Sequence, residues 1–140
     1  MKKILSFLFI YFAMNSIAYS DIDDGTGSIL KLTCVYKDPA YSSTPFKVII
    51  DKDNGKAIFG ILHASATLKK EPVITYEWDG KKMKVKKSLF KKERKYKLSG
   101  KGSDFFFKSS ISMKTGDLLH WVVDNTGSEQ GKPGNCKRYN

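Results

Sequence analysis

The stretch DFFFKSSISMKTGDLLHWVVD, residues 104–124, alternates apolar and polar positions on both sides of a turn signal. Lys114-Thr115-Gly116 reads as a three-residue hairpin loop with glycine at the left-handed position. That loop sets Met113 opposite Asp117, Ile111 opposite Leu119, Ser109 opposite Trp121 and Phe107 opposite Val123. One face then carries Phe105, Phe107, Ile111, Met113, Leu119, Trp121 and Val123. The other carries Phe106, Lys108, Ser110, Ser112, Leu118, His120 and Val122. A slip of one residue would exchange the two faces.

The same alternation recurs upstream. With Asn54-Gly55 as a two-residue turn, Ile50 meets Phe59 and Val48 meets Ile61, and Phe46 joins their face. With Asp79-Gly80 as a turn, Ile74 and Tyr76 pair with Val85 and Met83. Thr75 and Glu77 pair with Lys84 and Lys82 on the opposite face. An earlier strand, ILKLTCVYK, alternates Leu30, Leu32, Cys34 and Tyr36 against Lys31, Thr33 and Lys37. Residues 86–95 are too polar for a buried element of either period and read as a short helix, a bulged edge strand or a loop. The strand pattern resumes near Tyr96, and residues 124–135 read as a polar loop. The expectation is an all-β, mainly antiparallel domain of roughly seven to nine strands. It takes the form of a single bent sheet or small open barrel built from hairpins, with one short helix near 86–95 as an option.

The first twenty residues have a different pattern. Lys2 and Lys3 precede an apolar run from Ile4 to Met14, and Ala18-Tyr19-Ser20 offers small residues at a cleavage site. This is the pattern of a secretory signal peptide. The run is too short for a membrane anchor, which needs about 20 residues. Residues 21–140 are therefore read as one exported domain, periplasmic or secreted after cleavage near Ser20. The Lys/Ile/Phe-rich style of the leader suggests a bacterial source. In that compartment Cys34 and Cys136 are expected to form a disulfide. Two free thiols and half a metal site are the competing readings. A cross-link over a loop of about 100 residues stabilises by roughly 4–5 kcal/mol in the chain-entropy account.

Charge changes the picture further. Without Lys2 and Lys3 the chain keeps 23 basic and 14 acidic residues. Ten of those basic residues and a single acid, Glu93, lie between Lys81 and Lys97. The whole excess charge therefore comes from that one segment. Such a field attracts polyanions and speeds their encounter. The candidate anion-binding residues are Lys82, Lys84, Lys86, Lys87, Lys91, Lys92, Arg94 and Lys95. The plain alternative is a solvated edge whose lysines block strand addition, and a membrane-lying helix over 83–97 is a third reading. Arg94 is the only arginine in the segment, and export removes the chain from most cellular nucleic acid, so nucleic acid is disfavoured as a partner. Lipid headgroups, lipopolysaccharide phosphates, other anionic polymers and acidic proteins remain.

Little else points to chemistry. His63 and His120 are the only histidine bases, and neither has an identifiable nucleophile with an orienting acid. DIDDGTG and DKDNG lack the glycine placement of a calcium loop, so neither metal nor cofactor is expected. The early cysteine in a first strand, the late Thr-Gly hairpin and the Gly-x-Cys ending in GNC resemble small, uncharacterised exported bacterial β-domain proteins. That resemblance implies a shared β scaffold and transfers no catalytic or binding residue. The expected function is non-catalytic binding of an anionic envelope component or an acidic protein through the lysine-rich segment 81–97. The alternatives are an inhibitor of a secreted lysozyme or protease acting through residues 124–135, and a small hydrolase dependent on His120.

Overall fold

The computed structural model describes residues 21–37, 44–78 and 83–139. Residues 1–20, expected to be a leader, and residues 79–82, which hold the expected Asp79-Gly80 turn and the candidate Lys82, lie outside them. Eight strands follow one another: β1 (Ile29–Tyr36), β2 (Phe46–Asp51), β3 (Lys56–Phe59), β4 (Leu62–Trp78), β5 (Met83–Lys101), β6 (Phe105–Ser112), β7 (Asp117–Asp124) and β8 (Glu129–Arg138). Each pairs antiparallel with the next, and β8 returns to β1, so the sheet is a closed barrel rather than an open one. Closure removes the edges of the barrel itself, which the expected bent sheet would have left exposed. The described residues hold no helix, and residues 86–95 belong to β5. Of the three readings of 86–95, the bulged strand is the one observed, with the register shift opposite Val73, and the optional helix is absent.

Inward positions fill the barrel. Leu30, Leu32, Val48, Ile50, Leu98, Phe107, Ile111 and Leu118 are fully buried. Phe59 lies among them and contacts the Phe46 and Phe107 rings. Cys34 and Cys136 stand opposite each other on the seam between β1 and β8. They are disulfide-bonded, with their Cα atoms 4.0 Å apart and a sequence separation of 102. That seam joins the two ends of the chain and carries the longest loop-closure entropy of any pairing, so a cross-link there has the most to contribute.

Three registers differ from the sequence expectation. The β2–β3 turn spans four residues, so Ile50 meets Ala57 and Val48 meets Phe59. The shift is even, so the faces survive, but Ile61 moves into the β3–β4 turn and is 91% exposed. In the β4–β5 hairpin Tyr76 meets Val85 and Ile74 meets Lys87, again an even shift. The β6–β7 shift is odd. The Gly116 amide reaches back to the Ser112 carbonyl, Gly116 takes φ 77°, and Met113 joins the turn. Ile111 therefore meets Leu118, Ser109 meets His120 and Phe107 meets Val122. His120 points inward and Trp121 outward, the reverse of the expected faces. Trp121 lies over Gly131, where a Cβ would stand 2.5 Å from its ring. The bare glycine makes room for the indole on the outer wall.

The chain before β1 is built into the barrel. The Asp23 side chain is fully buried. It accepts hydrogen bonds from the Tyr96 hydroxyl, the Lys52 ammonium at 2.9 Å and the Gly25 amide at 3.0 Å. Ile22 packs against the core. The residues of DIDDGTG thus resolve into a structural plug. Residues 124–135, expected to be a loop, are mostly strand: β8 starts at Glu129. Only the short turn before it remains, held by Asp124, whose carboxylate accepts from the Thr126 and Ser128 amides.

Candidate functional site

β4 and β5 run for 17 and 19 residues, far longer than the barrel needs. β3 pairs with β4 only as far as Ser65, and β6 reaches β5 only at Lys95. Beyond those points the two strands pair with each other alone and form an arm. Within it the register jumps from Pro72 opposite Lys92 to Ile74 opposite Lys87. Residues 88–91 therefore bulge out opposite Val73. Proline, which has no amide to donate, is tolerated at such a break. The Ser88 hydroxyl accepts from the Lys91 amide at 3.1 Å and shapes the bulge.

The distal arm is folded back on the barrel. Ile74 lines a recess with Leu119 and Trp121 on the outer wall, and the Lys37 ammonium lies 4.9 Å from the centre of the Tyr76 ring. Ile74, Tyr76 and Met83 are half-buried, whereas Thr75, Glu77, Lys84 and Lys86 are exposed. The expected apolar face is kept only in part: Val85, opposite Tyr76, is 39% exposed, and the shifted register brings Lys87 opposite Ile74.

Pairing also gathers cations that are separate in sequence. Lys70 stands directly opposite Arg94, and Lys69 opposite Lys95. Lys69, Lys70, Lys91, Lys92 and Arg94 are all exposed, as is Lys87. Lys69 and Lys70 were not among the residues expected from the sequence. Their signal was the doubled lysine in LKKEP, which gains meaning only when β4 is placed beside β5. Lys95 departs from the expected set. It is 3% exposed, donates to the Pro72 carbonyl at 2.8 Å and lies 3.6 Å from Glu93. Burial pushes its ammonium below the usual lysine range, with Glu93 and Glu71 opposing that shift. Lys95 therefore braces the base of the arm instead of facing solvent. The recess beneath the arm, about 440 Å³, extends the basic surface onto the barrel through Lys69, Lys97 and Lys108. Lys97 is paired with Glu71 at 2.9 Å.

The other candidate chemistry lies inside the barrel. Ser109 Oγ and His120 Nδ1 are 2.7 Å apart, and both residues are buried. The imidazole stacks on Phe59 at 4.8 Å between centroids and contacts Phe107 and Tyr36. Burial, with Lys132 adding to it, pushes His120 down to about 4. Such a group is neutral at pH 7 and poorly matched to proton abstraction there. His63 is exposed on β4. The buried imidazole has a stability consequence. The unfolded histidine titrates near 6.5, so between about pH 6.5 and 4 the unfolded chain binds more protons. His120 then lowers stability by up to about 3 kcal/mol as pH falls through that window. Urea midpoints of the wild type and His120→Gln across this range should converge toward acid; parallel curves would show that the imidazole is not held neutral.

Among the described residues, no group of three His, Cys, Asp or Glu side chains is placed to hold a metal ion. No helix among them is long and apolar enough to cross a membrane. Compared with protein-family models, with curated proteins and with solved structures, the chain matches none.

Proposed function

We propose that this is an exported, non-catalytic protein that binds an anionic component of the cell envelope through the β4–β5 arm. Support for export comes from the leader pattern of residues 1–20. Support for binding comes chiefly from one observation: Lys70 and Arg94 face each other across the arm, exposed. Like charges directly opposite in a strand pair destabilise it. Protection of a free edge asks only for charge, and alternating signs would provide it without that cost. An exposed cation directly facing another is instead what an anionic partner neutralises.

The test is retention of residues 21–140 on immobilised heparin, lipopolysaccharide and DNA during a salt titration, beside a K86Q/K87Q/K91Q/K92Q variant. Retention that falls with salt and with the substitutions supports the reading. Equal retention of both proteins overturns it.

A further inference from the structure

The bulge presents two features together. Leu89 is 89% exposed and Phe90 is 92% exposed. They sit at its crest, between Lys86 and Lys87 on one side and Lys91 and Lys92 on the other, and all four lysines are exposed. The bulge is ordered by the Ser88–Lys91 hydrogen bond and by the pairs on either side of it, Pro72 with Lys92 and Ile74 with Lys87. A soluble polyanion would use the lysines and leave Leu89 and Phe90 in water. Scattered single apolar residues on a surface need no explanation, but two adjacent large side chains almost wholly in solvent, ringed by cations, do.

We propose that the partner is an anionic lipid surface, and that Leu89 and Phe90 insert between headgroups while the flanking lysines contact lipid phosphates. The inference rests on the anion-binding reading and names its ligand class. Its chemistry is that of a peripheral membrane contact, in which apolar side chains reach the acyl boundary and basic residues hold the surface. Neither contribution alone gives firm attachment, so the two are expected to act together. Apolar contact is nearly insensitive to salt, whereas the lysine contribution is screened.

The experiment is sedimentation with vesicles of one third phosphatidylglycerol and two thirds phosphatidylcholine, and with pure phosphatidylcholine vesicles. Residues 21–140 are compared with an L89S/F90S variant. Both side chains are almost entirely in solvent, so the variant should fold unchanged, which its urea midpoint checks. The expected result is binding to the anionic vesicles only, weakened at least about tenfold by L89S/F90S. Heparin retention of that variant should stay at the wild-type level. A variant that binds anionic vesicles like the wild type overturns insertion and leaves anion binding standing. Retention on heparin with no vesicle binding has the same meaning. Loss of both heparin and vesicle binding in K86Q/K87Q/K91Q/K92Q, with vesicle binding also lost in L89S/F90S, supports the proposal. A protein that binds neither ligand fails the anion-binding reading itself, and the proposal with it.

Discussion

The K86Q/K87Q/K91Q/K92Q protein should lose affinity for an anionic surface by a factor on the order of several hundred at low salt. Each lysine near such a surface contributes about fivefold, and four are removed together. The loss should shrink as salt rises, because exposed charges are screened within about 8 Å at physiological ionic strength. Stability should hardly change, since the four ammonium groups are exposed and surface substitutions of this kind stay within about 0.5 kcal/mol. Isothermal titration with heparin, paired with urea unfolding, measures both. A variant that unfolds early would have lost affinity for the wrong reason. A variant that folds normally and binds normally would return the lysines to the role of a solvated edge.

Asp23→Ala should destabilise the barrel by about 3 kcal/mol. Truncating one member of a buried charged pair costs about 3–5 kcal/mol because the other charge is left unpaired. Here Lys52 keeps 16% of its side chain in solvent and recovers part of its hydration, which places the effect at the low end. The Tyr96 hydroxyl loses its acceptor as well. The acid limb of stability follows from the same contacts. Burial by itself would raise the Asp23 carboxyl, but the Tyr96 hydroxyl, Lys52 and the Gly25 amide outweigh it and hold the group below its usual value. A carboxyl with a depressed folded value contributes in full above its unfolded value near 3.8. That contribution is lost as pH falls through the folded value. Urea midpoints of the wild type, Asp23→Ala and Tyr96→Phe at neutral pH and down to pH values below 3.8 test this. An Asp23→Ala protein within about 0.5 kcal/mol of the wild type would mean that the plug is not part of the folded core.

The sequence made the inward rows of β1, β2 and β6 legible: Leu30, Lys31, Leu32 and Thr33 alternate, and Val48, Ile50, Phe107 and Ile111 keep the same period of two even with Ile49 and Phe106 beside them. It made the cysteine pair legible through compartment rather than geometry. Barrel closure was not readable, since no local pattern states that β8 returns to β1. The β6–β7 register failed for a specific reason. Whether Met113 is the last paired residue or part of the turn depends on one hydrogen bond, from the Gly116 amide to the Ser112 carbonyl. The pattern around it, with Leu118 and Leu119 adjacent, suits either phase, and the choice exchanges His120 and Trp121. Asp23 was missed because a buried carboxylate looks like any other turn aspartate until Lys52 of the β2–β3 turn and Tyr96 of β5 are brought to it.

The candidate site divides the same way. The lysine segment stood out by composition, and the lysine face of the arm by alternation. Lys69 and Lys70 enter only through cross-strand pairing. Lys95 leaves only because the arm bends at Pro72 and encloses it. Leu89 and Phe90 lie within a polar run and stand out only when the bulge sets them at its crest.

The most direct test is amide hydrogen exchange of residues 21–140 with and without saturating heparin. The account predicts added protection confined to residues 84–94 and the facing segment 69–75, with the rest of the barrel unchanged. Protection centred on the turn between β7 and β8, or none at a concentration where heparin is bound, would contradict it and move the search for function away from the arm.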